Sequence, residues 1–300
     1  MTKKQSGIKK KEADKNRIQY LIESSLIDVL MLTPKPGLMD DYKSSGPDGS
    51  SMKDYLSGIR LIAPCLTELF FKGYSWTEEP EAMYPELHQL ALKAAEEIIG
   101  ANEGKNIRRG TVFTMGIICA AAGYDLAMRG ENHVKSILSL ARRITEKPME
   151  DYYHEIETER PRTYGEMVYH KYGIGGIRTE AAAGFPIIRK VSYPAMAEYR
   201  RKYPDPEQNS AILINVLLHI MTALEDSDVI SQSDPGGLHW VQNRARYILA
   251  LGGAFTREGM DELWDWDEDC ANIHISPVGS VDVLTATLFL WRLTGRIFEL

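Results

Sequence analysis

Near the start of the chain, apolar residues recur every three to four positions. Ile18, Leu21, Ile22, Leu26, Val29 and Leu30 mark one face of an amphipathic helix. The same period covers residues 55–72, 83–99, 111–128, 133–146, 192–202, 209–225, 238–251, 257–266 and 281–298. No run alternates β-branched and polar residues as a half-buried strand would. Gly and Pro separate the periodic segments at Pro34 to Gly37, Gly173 to Gly176, Pro235 to Gly237 and Pro277 to Gly279. The pattern predicts an all-α fold, with about ten helices joined by short polar loops in one domain over residues 17–300. The longest apolar run, Ala211 to Leu224, contains Asn215 and His219. It predicts a buried helix and not a membrane span.

Composition adds limits. Of the 300 residues, 44% are hydrophobic and 26% charged, as in soluble globular proteins and unlike disordered chains. The three cysteines are far apart, with no Cys-x-x-Cys pair. This argues against a disulfide framework or structural zinc site and points to a reducing, cytoplasmic setting. The net charge of −7 is unevenly spread. Residues 1–17 hold seven basic and two acidic residues, which leaves 28 basic against 40 acidic in the rest. Residues 1–16 therefore read as a basic, flexible, solvated tail, because they lack aromatics and apolar periodicity. The acidic body lacks the footprint of a nucleic-acid binder, and no membrane association is expected. Trp264 to Asp269 reads as a solvated acidic face. No His-x-x-x-His pair and no Gly-x-Ser-x-Gly elbow occurs.

The chemistry-bearing residues fall in loops at helix ends, where backbone N–H groups attract anions. In Thr33-Pro34-Lys35-Pro36-Gly37-Leu38-Met39-Asp40 the prolines restrict the backbone around Lys35 and Asp40. Lys35 is either a phosphate contact or an exposed lysine at a helix stop. Arg108, Arg109 and Gly110 precede an apolar helix rich in small residues. They suit a triphosphate clamp or a surface turn. Arg178 and Glu180 follow a Gly-rich turn that matches neither a P-loop nor a dinucleotide fingerprint. Asp226-Ser227-Asp228 offers two carboxylates of the kind that hold Mg²⁺ beside substrate phosphates. It also suits a solvated helix exit. Ser280 reads as the N-cap of the last helix, with Asp282 in its first turn.

Taken in order, these segments carry a family resemblance. They are Thr33 to Asp40, Asn106 with Gly110, Gly176-Ile177-Arg178 with Glu180-Ala181, and Gly184-Phe185-Pro186. Asp226, Gly236-Gly237, Ser276-Pro277, Gly279-Ser280 and Asp282 follow. Over about residues 17–295 the chain resembles the triphosphoribosyl-dephospho-CoA synthases that serve citrate lyase and malonate decarboxylase. The resemblance implies an all-α pentosyltransferase that moves the triphosphoribosyl group of ATP to the 2′-hydroxyl of 3′-dephospho-CoA and releases adenine. It implies Mg²⁺ with the triphosphate, and a product passed to a transferase that modifies an acyl carrier protein. It leaves a homodimer open. Lys35, Arg108, Arg109, Gly110, Arg178, Ser276, Gly279 and Ser280 are then the expected nucleotide contacts. Asp226, Asp228 and Asp282 are the expected metal ligands, and Glu180 or Asp40 the general base. The chain departs from the family where Asn-Thr-His-Lys-Gly becomes Asn106-Ile107-Arg108-Arg109-Gly110, where Arg-Gly-Glu becomes Arg178-Thr179-Glu180, and where Asp-Thr-Asn becomes Asp226-Ser227-Asp228. A divergent nucleotide-binding paralogue, with another substrate or no transferase activity, is the alternative reading.

Overall fold

The computed structural model describes residues 3–46, 49–101, 109–158 and 160–295, apart from the side chains of 3–13, 99, 101 and 109. Thirteen α-helices and no strand occur among the described residues, so the all-α class is as the periodicity predicts, with three more helices than the ten it marks. The first half comprises α1 (Lys3–Leu30), α2 (Met52–Tyr74), α3 (Tyr84–Ala101), α4 (Arg109–Arg129), α5 (Val134–Thr158), α6 (Tyr164–Tyr172) and α7 (Ile177–Ala182). The second comprises α8 (Tyr193–Lys202), α9 (Asn209–Met221), α10 (Ser227–Gln232), α11 (Pro235–Ala250), α12 (Arg257–Ile273) and α13 (Val278–Leu293). The backbone of the basic N-terminal segment continues α1 from Lys3, where the apolar pattern begins only at Ile18.

Two helices that are apolar on nearly every side form the centre. On α13, Val283, Leu284, Ala286, Leu288, Phe289 and Leu290 are all buried. Burial of each larger side chain contributes roughly 1.5–3 kcal/mol. α4 is long and apolar enough, by length and composition, to cross a membrane, but 72% of its apolar window is buried inside the protein. It packs along α2, with α3, α5 and α13 on its other sides. The α2–α4 crossing is close because glycines face backbone across it. A Cβ at Gly123 would lie 1.9 Å from the Phe70 carbonyl oxygen, and one at Gly73 would lie 1.9 Å from that of Ala120. α13 also contacts α1, α9 and α10, so it ties the two halves of the chain together.

Three helices escape the periodicity: α6, α7 and α10. α7 and α10 have six residues each, too few to show a repeat of 3.6. α5 differs in length, since it passes Pro148 and continues to Thr158. A proline inside a helix costs about 3 kcal/mol. Met149 and Ile156, beyond it, are both buried, and their burial offsets that cost.

The loop after α1 closes on a buried ion pair. Asp267 of α12 accepts the Gly37 N–H (2.9 Å) and the Lys43 ammonium (2.5 Å). Lys43 also donates to the carbonyl oxygens of Leu38 and Lys35. The acidic stretch of α12 is therefore not a uniform solvated face, since Trp266 and Asp267 turn inward while Trp264 stays partly exposed. Lys43→Met should destabilise the protein by about 2–4 kcal/mol, because it leaves the Asp267 carboxylate buried beside one N–H donor. Urea unfolding at pH 7 measures this, and a loss under about 0.5 kcal/mol would show that the loop does not need the pair.

Candidate active site

Four helix N-termini converge on one place. The carboxylate of Asp226 joins two of them. As the N-cap of α10 it accepts the Asp228 N–H on Oδ1 (3.1 Å). On Oδ2 it accepts the N–H and the hydroxyl of Ser280 (2.9 and 3.0 Å), in the first turn of α13. The first N–H groups of a helix have no partner within it, and they carry partial positive charge that favours an anion. Ser280 is thus not the N-cap that its sequence position suggests. The N-cap of α13 is Pro277, which has no side-chain cap, and Asp226 supplies one from outside.

α7 is the third element. Its N-cap, Gly176, has φ 58°, and a Cβ there would lie 2.3 Å from Ser227 Oγ of α10. Only glycine allows this turn and this approach together. The turn delivers Arg178, whose guanidinium lies over the rings of Tyr152 (5.0 Å) and Phe113 (5.6 Å). α4 is the fourth element. Thr111 donates to Asp282 of α13 (2.5 Å), and a Cβ at Gly110 would lie 2.3 Å from the other carboxylate oxygen.

The charges in this place are strained. Asp226 is 3% exposed. Burial first, and then the adjacent Asp228, push its carboxyl up to about 7, against the pull of its three donors. Solvent reaches the Asp228 side chain, yet surrounding protein crowds it enough to raise its carboxyl too. Arg178 and the Gly279 N–H oppose that rise. Glu180, two residues beyond Arg178, leaves α7 on another side. It accepts the Ile187 N–H (2.9 Å). Burial, with Glu225 adding repulsion, moves it up to about 7, so it exchanges a proton near neutrality.

Three other expected residues, Lys35, Asp40 and Ser276, are held by partners outside this group. Lys35 is 2% exposed, and its ammonium donates to the carbonyl oxygens of Val29 (2.6 Å) and Leu30 (3.0 Å). It caps the C-terminus of α1, where a cation is favoured. Asp40 is fully buried and accepts the N–H groups of Lys35, Tyr42 and Lys43. Those three donors make it the organiser of its loop. Ser276 is buried, and its N–H is held by Gln232 Oε1 at the end of α10 (2.6 Å). Asn106 and Arg108 lie outside the described residues, as does the side chain of Arg109. Among the described residues, no three His, Cys, Asp or Glu side chains form a group that could hold a metal ion. Asp282, turned to Thr111, is therefore not joined to the Asp226–Asp228 pair as a third ligand. Sequence reasoning missed Thr111, Tyr152, Phe113 and Gln232. Their spacing carries no signal, because each acts across a helix contact.

Comparison with known proteins identifies the family. Residues 15–297 match the family model for CitG, ATP:dephospho-CoA triphosphoribosyl transferase. A probable 2-(5''-triphosphoribosyl)-3'-dephosphocoenzyme-A synthase of Vibrio cholerae serotype O1 is 30% identical over 280 residues, covering 92% of this chain and 88% of that protein. The 2-(5''-triphosphoribosyl)-3'-dephosphocoenzyme-A synthase of Klebsiella pneumoniae is 29% identical over 283 residues, covering 93% and 92%. That of Escherichia fergusonii is 29% identical over 274 residues, covering 91% and 89%. No solved structure matches the chain. With the family model spanning nearly its whole length, this chain belongs to the ATP:dephospho-CoA triphosphoribosyl transferase family.

Proposed function

We propose that the protein transfers the triphosphoribosyl group of ATP to the 2′-hydroxyl of 3′-dephospho-CoA and releases adenine. The carrying observation is that four helix N-termini, Arg178 and the Asp226–Asp228 pair meet in one place, in a chain of this family. Helix N-termini and a guanidinium suit a polyphosphate. The Gly279 and Ser280 donors hold the Asp228 and Asp226 carboxylates in place there, and Gly110 and Arg109 open α4 beside them.

The carboxylate pair fits Mg²⁺ held jointly with the triphosphate, since that ion takes one or two carboxylates along with substrate phosphates and water. Burial raises both carboxyls, and Asp228 adds repulsion at Asp226; a divalent cation would favour their charged forms. Mg²⁺, when bound, supplies charge neutralisation for the triphosphate. Arg178 orients the phosphates. The C1′–N9 bond of ATP breaks and adenine leaves with the bonding electrons, taking up a proton. The 2′-oxygen of dephospho-CoA bonds to C1′, which has passed through oxocarbenium character. Glu180 accepts the proton that the hydroxyl gives up. The product is then a substrate for a transferase that modifies an acyl carrier protein. A cytoplasmic setting and a homodimer are consistent with this reading.

Asp226→Asn removes the charge and replaces one accepting oxygen of the cap with an NH2 donor. Adenine release with saturating ATP, dephospho-CoA and Mg²⁺ should fall at least about 100-fold at a temperature where the variant is still folded, with stability lowered by about 1–3 kcal/mol. An unchanged rate would take the carboxylate pair out of the reaction, and an inactive wild type that still binds ATP would favour the paralogue reading.

Glu180 must lose its proton to act as base, so kcat/KM should rise with pH through about 7. Glu180→Gln should abolish most of the activity. Its stability should change in a defined way with pH. The wild-type carboxyl is protonated more readily folded than unfolded, so its contribution is full below 4.5 and is lost as pH rises to about 7. The Gln variant should therefore gain on wild type between those values, by roughly 2–3 kcal/mol. Urea titrations at pH 4.5 and pH 8 measure the gain, and parallel curves would place Glu180 in water.

A further inference from the structure

We infer that Tyr152 is a positioning residue, whose aromatic ring holds Arg178 in line with the phosphate-binding place. This rests on the reading of Arg178 as a phosphate contact. Arg178 leaves a six-residue helix, and so short an element positions a long side chain poorly by itself. Two rings make up for this. Phe113 on α4 and Tyr152 on α5 both lie within reach of the guanidinium. Such contact is selective for the planar guanidinium over a compact ammonium. The Tyr152 ring is itself held. Its hydroxyl donates to Glu166 Oε1 (2.9 Å), and Glu166 closes the capping box of α6 with Thr163. The neighbouring residue does a parallel task, since the Tyr153 hydroxyl donates to the Gly175 carbonyl oxygen (3.1 Å), just before the Gly176 turn. The end of α5 thus braces both the turn and the arginine it delivers. Arg178 also lies close enough to Asp228 for its charge to act on that carboxyl, so a guanidinium freed from the rings would have an alternative partner there. The rings keep it available to a phosphate.

The test is the dependence of adenine release on ATP concentration for Tyr152→Phe, Tyr152→Leu, Arg178→Lys and the double variant Tyr152→Leu/Arg178→Lys. The ring alone should matter. Tyr152→Phe should stay within about twofold of wild type, while Tyr152→Leu raises the KM for ATP about tenfold and leaves kcat within about threefold. The KM for dephospho-CoA should not move. The double variant should be no more than about twofold worse than Arg178→Lys, because Tyr152 acts through Arg178. A Tyr152→Leu enzyme like wild type, a Tyr152→Phe enzyme as poor as Tyr152→Leu, or single effects that multiply in the double variant would each overturn the inference. If Tyr152→Leu folds poorly, Tyr152→Met, also without a ring, takes its place under the same criteria. Calorimetric titration with MgATP of the same proteins should show the same tenfold pattern. If wild type binds MgATP but releases no adenine, the transfer reading falls, and the titration still decides the role of the ring.

Discussion

The hydrogen bonds between Asp226 and the N-termini of α10 and α13 are the constraint on which the site depends. One buried carboxylate accepts from Asp228 on one helix and twice from Ser280 on the other. Those N–H groups have no partner inside their own helices, so an external acceptor is required. The carboxylate in turn needs them, because burial opposes its charge. Each side makes the other tolerable. Through this joint the chain places Ser227 against the Gly176 turn, and Asp282 against Thr111 and Gly110. α7 and α4 are thereby brought to the same point.

A division of labour among the cations follows from the same physics. Lys35 and Lys43 sit close to Thr33 to Asp40, a segment characteristic of the family, yet both ammonium groups are consumed by carbonyl oxygens and, for Lys43, by Asp267. They hold the loop between α1 and α2 in shape. Arg178 is different, because its guanidinium lies over two aromatic rings. A guanidinium resting on rings keeps its N–H donors for another acceptor. Cations bound to fixed carbonyls build the scaffold, and the cation over the rings is the one proposed above to meet phosphate.

The helices legible in the sequence are those whose own apolar stripe decides their burial. Residues 55–72, 111–128 and 209–225 are read within a few residues of α2, α4 and α9. The end of α5 was not legible, because Pro148 argues locally for a stop and only the burial of Met149 and Ile156 overrides it. That lost stretch carries Tyr152 and Tyr153. α10 was not legible either, because its six residues are set by their own N-cap, Asp226, and are too few to show a stripe. The run Trp264 to Asp269 looks like an acidic surface, yet its residues differ in fate because one face of α12 meets the loop after α1.

By itself the sequence determined the all-α class, the order of the major helices and the family, since these rest on local periodicity and on motifs held in order. It also marked Arg178, Glu180, Asp226 and Asp228 as candidates. It did not distinguish these from Lys35, Asp40 and Asp282, which have the same residue types in similar Gly and Pro loops. Only the tertiary structure decided which donors and acceptors each of them meets. A carboxylate or ammonium becomes a scaffold element or a reactive group according to the donors and acceptors around it. Those arrive from helices remote in the chain: α13 for Asp226, α12 for Lys43 and α5 for Arg178.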